Sequence, residues 1–546
     1  MSDHLFAKLR RAKYSMQPSP YFQSTIFIKQ ESPSSSRKAL CSWGDVAHGD
    51  LFRRLTLPLM AVFILSSALA LPTAFAGEPL RLHPTNPHYF LFRANPTLLI
   101  TSGEHYGAVL NLDFDYIRYL DELQSNGLNL TRTWPGASYL EVPGSFEIFK
   151  NTLAPLSGRF SCIWQRSSSS GYAGGGNKFD LNTWDQAHLA RLKDFVAQAG
   201  KRGVIVELSL FCPFYNEDLW NVSPWNARNN INGVGDLPRT ETMTLKNGKL
   251  MAVQEAMVRK IVSELKEFDN LYYEICNEPY FGGVALDWQH HIADTISKAE
   301  SSFEQKHLIA QNIANGSTRI EKPHPAVSIF NFHYSRPPDS VRLNWGLNKA
   351  IGLNETGFDG SADSTYRVQA WDFILAGGAV YNNLDYSFTV EHPDGINVPD
   401  GKTPGGGSPA LRRQLKVLKD FIHGYNFIAM TPQETVISRG VPEGATARVL
   451  ADPGRDYAIY IHHGKPGFSH NSATPSPKPR PQYAVSSEQQ QTTLFCVFPP
   501  GSYEARWVDT KTGRQEKTEK LKSSGKPRAL VSPPYREDIA LRIRRL

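Results

Sequence analysis

Two glutamates stand where apolar runs of this chain come to an end. Glu278 closes Y-Y-E-I-C-N-E-P (272–279), directly after Asn277, and Glu355 closes I-G-L-N-E-T-G (351–357). Two carboxyl groups that face one another can cleave the acetal joining two sugars: one protonates the leaving oxygen, and the other attacks the anomeric carbon or activates water against it. That chemistry needs both side chains over a common opening, so the question passes to the elements that carry them.

Between residues 97 and 430, short β-branched or aromatic runs alternate with helical-period segments, the pattern of repeated βα units. The runs are 97–103, 128–134, 204–211, 271–279, 307–313, 327–334, 350–357 and 378–386. Helical stretches over 114–127, 184–203, 252–268 and 410–425 repeat apolar residues at i, i+3 and i+4. Eight strands predict an α/β fold with a (β/α)8 barrel, a TIM barrel, in which the fourth and seventh strands lie across from each other and both glutamates reach the C-terminal mouth. An open doubly wound sheet is the alternative, but no G-x-G-x-x-G phosphate loop follows any strand. The longest connections, 136–179 and 212–240, follow the second and third strands, on the face where barrels carry active sites, and their aromatic residues suit the walls of a cleft.

N-E-P closing the fourth strand, a second glutamate closing the seventh and Arg132 near the end of the second resemble the retaining glycoside hydrolases of clan A, nearest to the cellulase-like family 5, over roughly residues 90–430. The resemblance implies Glu278 as acid/base, Glu355 as nucleophile, Asn277 as partner of the sugar 2-hydroxyl and Arg132 as support of the nucleophile. His333 and Tyr334 fall where the clan places residues beside the two carboxylates. Here they are adjacent, and neighbours on a strand face opposite ways, so one of the two is expected to line the site. The eighth strand offers Tyr381, Asn382 and Tyr386 where a tryptophan often stands, and Tyr381 is expected to bind substrate. The reaction expected is double displacement, with carboxyls about 5–5.5 Å apart, the proton held on Glu278 and no cofactor.

Other residues sort by their place in the pattern. His105, after the first strand, and Trp134, closing the second, are expected to contact substrate; Glu104 is expected to be structural, and Glu207, in mid-strand, to sit in a buried ion pair. Trp164, Trp220 and Trp225 lie in the long connections and are further candidates for stacking on a sugar, whereas Trp184, Trp288 and Trp371 fall in helical segments and should pack inward. A barrel metallohydrolase would cluster histidine and aspartate ligands, and the single His105 on the first strand argues against a metal. Five scattered cysteines, none in a C-x-x-C pair, read as small buried side chains.

With 40% hydrophobic and 20% charged residues over 546 positions, disorder throughout is excluded. The net charge of +7 is uneven: +5 over 1–76, −5 over 77–433 and +7 over 434–546, which gives nucleic-acid binding little support. Residues 53–76 have the arginines, apolar run and A-x-A end of a signal peptide, so a secreted or periplasmic protein is expected, meeting the membrane only in transit. Residues 1–52 are expected to be a disordered or mis-started leader. The catalytic barrel is assigned to 77–433, and the short alternating runs of 434–546 to an antiparallel β-sandwich resembling accessory modules described as collagen-binding. The function expected is a glycosidase acting on a poly- or oligosaccharide; a non-catalytic carbohydrate- or matrix-binding secreted protein is the alternative.

Overall fold

A computed structural model describes residues 77–465 and 483–546; the leader, the signal segment and most of the Pro/Ser-rich stretch 464–482 lie outside the described residues. Eight parallel strands form one sheet: β1 (Leu99–Gly103), β2 (Leu130–Thr133), β3 (Ile205–Phe211), β4 (Leu271–Cys276), β5 (Ile309–Asn315), β6 (Val327–His333), β7 (Ala350–Glu355) and β8 (Val380–Leu384). Each overlaps one of the expected runs. The spatial order is β1-β8-β7-β6-β5-β4-β3-β2. The two ends of that sheet meet at Asn129, whose Oδ1 accepts from Ile100 N at 3.0 Å while its Nδ2 donates to Leu98 O at 2.8 Å. The amide side chain adds to backbone bonds from Asn129 N to Ile100 O at 3.4 Å and from Trp134 N to Tyr106 O at 3.3 Å, and the sheet is nearly closed as a barrel.

Helices α1 (Tyr116–Ser125), α2 (Gln186–Lys201), α3 (Gly248–Leu265), α4 (Leu286–Ala299), α5 (Asp363–Leu375) and α6 (Pro409–His423) cover the outside, with six-residue helices Glu217–Val222 and Asp339–Asn344 in the connections. Asp115, Asp185, Asn247 and Ser408 each accept a hydrogen bond from a backbone N–H in the first turn of α1, α2, α3 and α6, satisfying donors that the helix itself leaves unpaired. The crossover after β5 contains no helix. At the N-terminal end of the barrel a small hairpin buries Leu80, Tyr89 and Phe90, and Arg93 clamps it by donating to both oxygens of Asp269 at 2.7 and 2.8 Å.

The C-terminal residues form separate antiparallel sheets. The larger runs Thr431–Pro432, β9 (Thr446–Asp452), β10 (Asp456–His462), β13 (Asp538–Arg545), β11 (Gly501–Val508), β12 (Gln515–Ser523), and a three-stranded sheet shares its core. Period-2 alternation divides the larger sheet between two cores: Tyr457, Ile459 and Ile461 of β10 pack within the sandwich, while Ala458 and Tyr460 join the barrel core. Tyr460 stacks on Trp371 of α5 at 5.3 Å. This contact explains why α5 is buried around its circumference from Thr365 to Leu375. Its charged residues are paired across the interface, Arg367 with Asp538 at 2.8 Å and Asp372 with Arg448 at 2.7 Å. Burial pushes the Asp372 carboxyl up, but His462 and Arg448 outweigh it and hold the group at about 2.

Candidate active site

β4 ends at Cys276, and the chain then turns sharply: Glu278 has φ +38°, a left-handed conformation that costs a non-glycine residue roughly 1–2 kcal/mol. The turn brings its carboxyl over the barrel, where Oε2 accepts from Tyr215 at 2.6 Å and Oε1 from Tyr280 at 3.2 Å. Glu355 closes β7 on the other side. Its Oε2 accepts from Tyr106 at 3.1 Å and from Arg132 at 3.2 Å, and its Oε1 from Tyr334 at 2.8 Å. His333 lies between the two, with Nδ1 3.1 Å from Glu278 and 3.5 Å from Glu355. The three residues present ligand-type atoms within 4.8 Å of one another. A cation could use that spacing, yet the Arg132 guanidinium and four tyrosine hydroxyls already occupy the carboxylate oxygens, an environment suited to a reacting pair of carboxyls.

Arg132 is the hub beneath this pair. It forms an ion pair with Glu274, donates to Ser209 at 3.0 Å and to Asn277 at 2.8 Å, and lies 3.7 Å from Glu207. Asn331 and Asn354 each donate to both Glu207 and Glu274 at 2.8–3.1 Å. Burial raises Glu207 to about 8, with the charge on Glu274 adding to it; Glu274, equally buried, is held below its ordinary value by Arg132 and Ser209. Glu207 sits in the buried ion pair expected of it, 3.7 Å from Arg132, and Glu274, which the sequence pattern did not single out, pairs with the same guanidinium more closely.

His333 and Tyr334 both line the site, against the expectation that strand alternation admits one. The ladder between β6 and β7 slips in register at His333, and Tyr334 has φ +49°, so alternation has ended where these residues begin. Tyr106, with φ +78°, is a third left-handed residue that touches a carboxylate. Tyr106, Tyr215 and Tyr280 were not predicted; the aromatic run C-P-F-Y after β3 was the available signal for Tyr215, but backbone reversals set where these hydroxyls point and leave no periodic trace.

Asn277 bridges the site, accepting from Arg132 and donating to Tyr215 at 2.9 Å. Trp134 stacks on Tyr106 at 4.2 Å beside Arg132, next to the carboxylates, and His105 Nε2 accepts from Thr152 N at 3.1 Å in the connection after β2. Tyr381 is elsewhere: its hydroxyl donates to the carbonyl of Tyr366 in α5, so the side chain points to the helical layer, and Tyr386 takes the place near the site. Trp164, Trp220 and Trp225 are buried in the packing of the long connections, Trp164 stacking on Trp184 at 4.7 Å, Trp220 meeting Phe214 and Trp225 meeting Phe211. Glu104 is structural, accepting from Thr152, Gly107 and Ala108.

The barrel shares its fold with solved glycoside hydrolases. A family 5 glycoside hydrolase from Bacteroides vulgatus superimposes with a TM-score of 0.56 at 13% identity, over 86% of this chain and 93% of its own. A second glycoside hydrolase matches with a TM-score of 0.55 at 12% identity, over 86% of this chain and 97% of its own. The sequence itself matches no protein-family model and no curated protein.

The two carboxyls divide their charge unequally. Burial pushes Glu355 up, and the charge on Glu278 adds to this against the pull of His333 and Arg132. Burial raises Glu278 too, but His333, Tyr215 and Tyr280 outweigh it and hold the group below its ordinary value. The two groups are thus pushed in opposite directions, Glu355 up and Glu278 down, with His333 nearer to Glu278 and Arg132 shared between Glu355 and Glu274. A third carboxyl, Glu141, accepts from Tyr139 at 2.9 Å and from Asn151, and burial pushes it up to about 7.

Proposed function

We propose that this protein hydrolyses O-glycosidic bonds of an oligo- or polysaccharide by double displacement, with Glu355 as nucleophile and Glu278 as acid/base. The observation that carries the reading is the facing of the two carboxyls, with oxygens within 4.8 Å through His333. That closeness favours retention, because an inverting pair stands about 6.5–9.5 Å apart to admit a water. The reaction needs one proton on the pair, carried by Glu278 next to the glycosidic oxygen once the sugar is bound. Glu355 then attacks the anomeric carbon as the C–O bond breaks and the leaving oxygen takes that proton. Neutralised in the ester, Glu355 no longer repels charge on Glu278, which takes a proton from water as the water displaces Glu355. Tyr106, Tyr334 and Arg132 orient the attacking carboxylate, and Asn277 faces the sugar beside Glu278.

Both carboxyls and a full set of donors support catalysis over a purely binding role. Secretion is proposed on the leader sequence alone. Glu355→Gln should abolish turnover even of activated aryl glycosides, whereas Glu278→Ala should keep the first step for such substrates and yield a glycosyl azide when azide is added. An inverted anomer in the first product seen by NMR would overturn this reading.

A further inference from the structure

The two flanks of the carboxyl pair differ. On the Glu355 flank, residues 134–141, 151–153 and 384–389 are buried without a break; on the Glu278 flank, Tyr280, Gly283, Leu286 and 317–319 are exposed. The buried flank is walled by the connection after β2, which is tied to three neighbours. Thr152 donates to Glu104 after β1 at 2.6 Å and Lys150 pairs with Glu391 after β8 at 3.7 Å, while on the Glu278 side Phe146 meets Tyr215 after β3 edge-on at 5.2 Å. Behind this wall three polar groups have no hydrogen-bond partner: Nδ1 of His105, Nε1 of Trp134, whose ring stacks on Tyr106, and the hydroxyl of Tyr386, whose ring lies 5.4 Å from that of His105. All three residues are 2% exposed. A buried donor left unpaired is costly, and a ligand hydroxyl would complete it.

The leaving oxygen takes its proton from Glu278, so the departing part of a substrate lies on the open flank and the ring under attack on the walled one. We propose that the site is a pocket closed behind the nucleophile, which admits one terminal sugar ring, hydrogen-bonds it through Trp134 and Tyr386, and removes single units from a chain end. This exo mode rests on the hydrolase reading and adds to it where the chain is cut.

The test uses the full chain. A panel of 4-nitrophenyl glycosides identifies the sugar, and oligosaccharides of that sugar are then tagged at the reducing end, with and without a 4,6-O-benzylidene cap on the opposite terminus. The uncapped ladder should shorten one unit at a time, and the cap should stop cleavage. Internal cuts in the capped oligosaccharide would overturn the closed pocket while leaving the hydrolase reading intact. Absence of any turnover, together with no label on Glu355 from 2-deoxy-2-fluoro glycosides, would overturn both. Tyr386→Phe removes only the unpaired hydroxyl: kcat/KM should fall about tenfold with the melting temperature held. An unchanged kcat/KM would remove Tyr386 from the contacts proposed for the terminal ring.

Discussion

The hydroxyl of Tyr334 donates to Glu355 at 2.8 Å from a residue whose backbone is left-handed, directly beyond the last residue of β6. His333 ends that strand facing Glu278, so two consecutive side chains serve opposite carboxyls. Tyr334→Phe should leave the fold intact and lower kcat by about tenfold or more, since a hydrogen bond to a charged oxygen is worth about 1.5–3 kcal/mol. Pre-steady-state release of an aryl leaving group would place the loss in formation of the ester, the step in which Glu355 attacks.

Removing Arg132 should be felt in stability as well as rate. Its guanidinium is fully buried between Glu274 and Glu355, and breaking a buried pair from one side costs about 3–5 kcal/mol. Arg132→Met should lower the denaturation midpoint accordingly, read by urea unfolding. Arg132→Lys keeps the charge and should recover part of the stability, but a single ammonium cannot reach Glu274, Asn277 and Glu355 together, so activity should stay low.

The pH profile of kcat/KM should be bell-shaped, because turnover needs one proton on the pair. The acid limb, where the second carboxyl is protonated, lies below the ordinary glutamate range, and the alkaline limb, where the shared proton is lost, lies above it. His333→Asn removes the group that most favours charge on Glu278, so its acid limb should move upward. An acid limb that stays in place would show that His333 does not set this titration.

His188 provides a separate test in folding. It is buried, with Nε2 bonded to the Pro135 carbonyl at 2.8 Å and Nδ1 to Ser161 at 2.8 Å, and burial lowers its pKa to about 4. Above pH 6.5 it is neutral whether folded or unfolded; as pH falls, the unfolded chain takes a proton that the folded one refuses. Stability should drop by about 3 kcal/mol between pH 6.5 and 4 on this account. Glu104 and Glu141, both raised to about 7, act in the opposite direction over part of that window, so the clean comparison is His188→Gln against the parent. The parent should lose more stability on acidification than the variant.

Truncation before Glu434 would expose the face of α5 that carries Trp371 and strip Arg367 of Asp538 and Glu537. The shortened chain should be recovered as aggregate rather than as a soluble barrel, read by size exclusion after expression. A monomeric, cooperatively melting product would show that the interface is dispensable.

The barrel was legible from the sequence because its strands are short apolar runs at regular intervals, and covered parallel strands must be apolar on both faces. Glu278 and Glu355 were legible for the same reason: a polar side chain closing such a run projects at the C-terminal mouth. The rest of the site depends on departures from periodicity. Left-handed residues at Tyr106, Glu278 and Tyr334, the register slip at His333 and the fold-back of the connection after β2 bring together side chains far apart in sequence, and none repeats at a spacing that could be read. Tyr381 shows the opposite case, a residue of suitable type on a suitable strand that faces the helices. The opposite push on the two carboxyls likewise arises only in three dimensions, from the nearness of His333 to Glu278 and from the sharing of Arg132 between Glu274 and Glu355.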